Sequence, residues 1–137
     1  MGYALHPGGI IYILQADYDN NSTFTLFAFD ELTGAQKFSI VLPFSYGGQL
    51  QPFPGLPSVL PDGNLYLPVE TVADASSPDV LQLLKVAPDG TYSWFPVATA
   101  AQPNGPLIFP NETIPDGQGG LLVTWVYEGQ PGAASRP

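Results

Sequence analysis

The strongest constraint on this chain is a turn written three times at a fixed interval. Pro7, Pro61 and Pro115 each open a Pro-x-Gly turn that ends in Gly9, Gly63 and Gly117, and successive turns lie 54 residues apart. Proline presets the first torsion of such a turn and glycine supplies the left-handed one, so a single copy is a generic signal. Each copy here is followed by an apolar, β-favouring run: "IIYIL", "LYLPV" and "LLVTW". A second module keeps step with the first. "LFAFDELTGAQKFSI" (Leu26 to Ile40) and "LLKVAPDGTYSWFPV" (Leu83 to Val97) each hold an apolar strand, a turn glycine (Gly34, Gly90) and an aromatic residue four positions on (Phe38, Trp94). A unit of roughly 55 residues with this many turns accommodates four short strands, the size of a β-propeller blade.

The second unit serves as the template. It predicts strands over 56–60, 64–70, 80–86 and 91–97, with a hairpin at Ala75 to Asp79. Composition supports this reading: 15 Gly and 16 Pro interrupt every helical window, while 8 Phe, 7 Tyr and 2 Trp favour strands. The expected fold is all-β, with β-propeller-like four-stranded antiparallel blades in an incomplete ring. The whole chain, 1–137, reads as one segment with units of approximately 2–50, 51–104 and 105–137, the last truncated. A propeller closes with about four to eight blades, so the chain reads as a fragment. Self-association, or packing against the remaining blades of a parent protein, is the expected partnership. A small β-sandwich binding module, with fortuitous repeats, is the competing architecture.

At "LFAFDELTGAQKF" the chain resembles the repeats of quinoprotein (pyrroloquinoline-quinone-type) β-propellers, whose blades carry an Ala-x-Asp-x-x-Thr-Gly-x-x-x-Trp turn. Ala28, Asp30, Thr33 and Gly34 match, with Phe38 in place of the tryptophan. The second unit keeps Gly90 and Trp94 but has Leu84, Val86 and Asp89 at the Ala, Asp and Thr positions. The resemblance implies a structural role for these residues: a tight outer turn, and an aromatic ring docked between one blade and the next. It also admits a fragment of a quinoprotein-type dehydrogenase. Such catalysis needs a quinone and a metal near the centre of a closed ring, which two blades do not form.

Charge and residue inventory narrow the function. Three basic residues face twelve acidic ones, a net charge of -9, so there is no basic face for nucleic acid or anionic lipid. No apolar stretch approaches the roughly 18 residues of a membrane span. The first nine residues show no secretory leader pattern, and the low lysine content, acidity and turn-rich strands suit an extracellular or cell-envelope setting. With no cysteine and only His6 as histidine, thiol catalysis, disulfides and His-based triads are excluded. No catalytic residue and no organic cofactor are expected, and the leading function is a non-catalytic scaffold or binding segment.

One cation motif stands out. Asp17, Asp19 and Asn21 in "DYDNN" follow the Asp-x-Asp-x-Asn opening of calcium loops, where alternate side chains converge on a hard cation. Ser22 replaces the invariant glycine and Ala28 the closing glutamate, so the expected calcium site is weak. The plainer reading is an acidic hairpin tip turned by Asn20 and Asn21. Asn20, Asn21 and Asn111 also begin glycosylation sequons. Asp17, Glu70 and Glu128 each fall where the second strand of a unit ends, which would set them along one solvent-exposed rim.

Overall fold

A computed structural model describes residues 2–17, 23–42, 53–71, 78–100 and 107–128 of the chain. Among them there are strands and turns and no helix. Sheet A is an antiparallel meander of β1 (Gly2–His6), β2 (Ile10–Asp17), β3 (Thr23–Asp30) and β4 (Gln36–Val41), in sequence order. Sheet B repeats the arrangement: β5 (Phe53–Pro54) and β6 (Ser58–Val59) share one edge of β7 (Leu65–Thr71), followed by β8 (Val80–Val86) and β9 (Tyr92–Thr99). Sheet C is the hairpin of β10 (Leu107–Pro115) and β11 (Leu121–Glu128). The protein is thus all-β, built of four-stranded antiparallel units followed by a two-stranded one. Three successive sheets, two of them with the same strand order, are not the two-sheet sandwich weighed above.

The inner strand of sheet B was expected as one piece and is split in two. Pro68 explains the break. Its carbonyl accepts the Gly55 amide at 2.7 Å, so its backbone faces the β5–β6 edge, yet proline has no N–H to offer there. The corresponding residue of sheet A is Leu14, and β1 pairs without interruption from Gly2↔Leu14 to His6↔Ile10. Freed from β7, the Leu56 amide bonds instead to Asn111 O of sheet C at 2.7 Å. Gly55 permits that approach, because a Cβ at this position would collide with the Asn111 carbonyl.

The repeated turns are confirmed by their torsions. Gly9 and Gly63 have φ of 86° and 83°, and their amides bond to His6 O and Leu60 O at 3.0 and 2.9 Å. The third turn keeps the sequence pattern but not the register. The second hairpin closes at Val59↔Leu65, whereas the third closes at Pro115↔Leu121, two positions later in the aligned sequence. The Asp116 carboxylate accepts the Gln118 and Gly120 amides at 2.7 and 2.9 Å and so organises the loop. Gly119 and Gly120 carry no side chain that would favour a strand, so β11 begins only at Leu121. Gly119, with φ of 88°, therefore holds the place that Gly63 holds in sheet B.

The sheets pack face to face in the order A, B, C. Ile10, Tyr12, Leu14, Leu26 and Ala28 of sheet A meet Leu65, Leu67, Val69, Leu84 and Val86 of sheet B in the main core. Leu60, Tyr66, Leu81 and Leu83, on the opposite face of sheet B, pack against Leu121, Val123 and Trp125. Strand β7 lies in the middle layer and is buried at all seven positions. That is why its sequence is a near-continuous apolar run and lacks alternation. Each fully buried Leu or Val contributes roughly 1.5–3 kcal/mol, so these two layers dominate the stability.

Trp94 was expected between its own sheet and the following one, and the structure reverses its direction. Trp94 pairs with Leu84, which faces sheet A, and its ring packs on the A–B core. Phe38 pairs with Ala28 and enters the same layer from the other side. The cause is register. Tyr12 pairs with Ala28, whereas its counterpart Tyr66 pairs with Lys85, one residue past Leu84, the counterpart of Ala28. A one-residue displacement turns every later side chain to the opposite face.

Candidate functional site

Asp17 ends β2 and its side chain is exposed. Asp19 and Asn21, the other two residues of the calcium motif, lie outside the described residues, as does Asn20. Among the described residues, no group of three His, Cys, Asp or Glu side chains gathers to hold a metal.

The rim of carboxylates is corrected at its centre. Glu70, the penultimate residue of β7, is only 6% exposed, because its strand lies between two sheets. It is hydrogen-bonded to Asp79, just before β8, and burial, the Asp79 charge and that bond push its carboxyl up to about 8. Two carboxyls this close share one proton more readily than they both ionise. Glu70 therefore keeps its proton at neutral pH beside Asp79, whose Oδ2 is buried without a hydrogen-bond partner. Such a pair could serve as a general acid if a substrate reached it. Its burial makes it instead a proton-dependent structural contact. The signal in the sequence is a glutamate inside the apolar run "LYLPVET".

The residues of the quinoprotein-like turn perform a local task. Asp30 Oδ1 accepts the Thr33 amide at 2.8 Å, the Thr33 hydroxyl at 3.0 Å and the Leu32 amide at 3.0 Å. Those bonds, led by Thr33, hold the Asp30 carboxyl below its usual range. In sheet B the same chemistry is moved along the chain, where Asp89 accepts the Thr91 amide at 3.0 Å and hydroxyl at 2.7 Å. A sequence match position by position misses this substitution. His6 links two turns: its Nδ1 accepts the Gly8 amide at 2.7 Å and its Nε2 donates to Gly63 O of sheet B at 3.0 Å.

Among the described residues, both outer sheet faces carry exposed apolar side chains. On sheet A, alternation sends Tyr3, Leu5 and Val41 outward, 81%, 56% and 58% exposed, beside half-buried Ile11 and Ile13. Phe27 and Phe29 stack on the same face, with ring centroids 6.0 Å apart. On sheet C the outward side chains include Leu122 and Val126, 56% and 57% exposed, and Ile114. These faces are the structural counterparts of the inner faces that bury the A–B and B–C layers. Exposed apolar patches of this kind mark interaction surfaces. In comparison with known proteins, the chain matches no family, no curated protein and no solved structure.

Proposed function

We propose that this chain is a non-catalytic segment of a β-propeller-like array, working as a scaffold that docks further sheets on its two outer faces. The single observation that carries the reading is the pair of outward apolar faces, Tyr3, Leu5 and Val41 on sheet A and Leu122 and Val126 on sheet C. Each repeats the orientation of a face already buried inside the molecule. A head-to-tail contact between unlike faces is heterologous, and it propagates until a ring closes or a filament grows. The occupants are the remaining blades of a larger protein or, for the isolated chain, further copies of itself. An extracellular or cell-envelope setting accords with the acidity and the scarcity of lysine.

Light scattering across a concentration series tests the assembly. The chain should associate as concentration rises, and Leu5→Lys or Leu122→Lys should each yield monomer without loss of the strand signal in circular dichroism. A wild-type chain that stays monomeric at every concentration, with a cooperative high-temperature transition, overturns the proposal.

A further inference from the structure

The two inter-sheet junctions differ at one corner, and the difference leaves a cavity. At the A–B junction the ring of His6 fills the space between the first and second turns, reaching Gly63 O at 3.0 Å through Nε2. At the B–C junction the same position is Leu60, since Gly63 N bonds Leu60 O as Gly9 N bonds His6 O. Leucine has no donor and a smaller reach. The turn it faces contributes Gly117, Gly119 and Gly120, and a Cβ on Gly117 or Gly119 would meet nothing within 4 Å. What remains is a cavity of about 240 Å³ against Leu60, Pro61, Asp62, Tyr66, Pro115 and Leu121. An apolar cavity of about 150 Å³ already accommodates a benzene ring.

The polar side chains on its wall are of one kind. Tyr66 donates its hydroxyl to Asp62 Oδ2 at 2.6 Å, and Asp62 Oδ1 accepts the Asn64 amide at 3.0 Å. The Asn64 side chain also hydrogen-bonds to the Tyr66 phenol and to Asp62, so the acceptor capacity left to the cavity lies on the Asp62 carboxylate, which has about four lone-pair sites. Partial burial works against the Asp62 charge, but the Tyr66 and Asn64 hydrogen bonds outweigh it and hold the carboxyl below its usual range. Burial, and then the bond to Asp62 and its charge, push the Tyr66 phenol up to about 12, so it keeps its proton. Among the described residues no lysine, arginine or histidine lines the cavity, and Lys85, paired beside Tyr66, acts on Asp62 through its charge. An occupant must therefore present a flat apolar body to the leucine and proline walls and an N–H to the Asp62 carboxylate.

We propose that this cavity is a binding site for a small heteroaromatic N–H donor of the imidazole class, taking at the B–C junction the role that the His6 ring plays at the A–B junction. The site lies within one chain and is independent of the assembly on the outer faces.

Ligand-observed saturation-transfer NMR with 4-methylimidazole as the probe tests the site, since it reads binding to monomer and assembly alike. Saturable transfer is expected from the wild type. Toluene, a ring of similar size without the donor, should bind about tenfold or more weakly, as should 4-methylimidazole to Asp62→Asn, which keeps an acceptor for Tyr66. Leu60→His, which restores the arrangement of the first junction, should block the probe. Absence of saturable binding to the wild type overturns the proposal, as does equal affinity for toluene or an Asp62→Asn variant that binds unchanged. Should Leu60→His not fold, the toluene and Asp62→Asn comparisons decide the matter.

Discussion

Gly90 offers a direct test of how sheets A and B meet. Its φ of 91° lies where an alanine is strained, a cost of roughly 1–2 kcal/mol. Gly34 occupies the matching turn of sheet A with φ of 73°, and a Cβ there would meet nothing within 4 Å. A Cβ at Gly90 would lie 3.1 and 3.2 Å from Cγ and Cδ1 of Phe38, across the inter-sheet layer. The Phe38 ring has little room to yield, because it packs on Tyr12 with ring centroids 6.2 Å apart. Overpacking of this kind costs about 1–3 kcal/mol. Gly34→Ala should thus lose roughly 1–2 kcal/mol and Gly90→Ala at least about 1 kcal/mol more. Urea denaturation of both variants, alone and on a Phe38→Ala background, isolates the contact term from the torsional one. In that background the excess at Gly90 should vanish. Equal costs at the two glycines, or an excess that survives removal of the ring, would refute the placement of Phe38 against the second sheet.

Two further outcomes follow from buried polar groups. Glu70 holds its proton in the folded state to about pH 8 but releases it near 4.5 when unfolded. Its contribution to stability is therefore complete below pH 4.5 and lost as pH rises towards 8, because the folded state binds the extra proton. Thermal melts from pH 4 to 9 should show this decline, and Glu70→Gln should flatten it; equal slopes in the two proteins would contradict the pair. Tyr12 and Tyr66 are counterparts with opposite prospects. The Tyr12 hydroxyl is buried without a partner, so Tyr12→Phe should stabilise by about 1 kcal/mol, whereas Tyr66→Phe removes the donor to Asp62 and should cost about as much. Urea midpoints for the two variants should move in opposite directions.

Much of the strand pattern was legible because turns are local. The Pro-x-Gly and Asp-Gly signals located the hairpins, and β8 runs over the expected residues. The second-strand ends at Asp17 and Glu128 were likewise visible, and that of β7 to within one residue, at Thr71 where Glu70 was expected. What the sequence concealed depends on relations between strands. The face taken by Trp94 is fixed by a one-residue displacement between β7 and β8, and periodicity could not show it because both faces of β8 are apolar. The burial of Glu70 depends on the position of its strand between two sheets, which only the packed fold shows. The slipped third hairpin follows from two glycines and one aspartate whose effect appears only when the loop closes. The cavity beside Leu60 is likewise a property of two turns brought together from different units.

Pro68 has a consequence for the order in which the molecule opens. By breaking the inner strand of sheet B, it hands the Leu56 amide to Asn111 O, so a backbone hydrogen bond bridges sheets B and C. Sheets A and B share side-chain packing and the His6 bond to Gly63 O. Amide exchange in native proteins reports such links as cooperative units that open together. The Leu56 amide cannot exchange until sheet C lifts from sheet B, which makes it a sentinel for that one opening event. Its exchange rate should follow that of the sheet C ladder and depart from that of β1. A single proline in a middle strand thereby draws the boundary between the parts of this chain that come loose together and the part that can come loose alone.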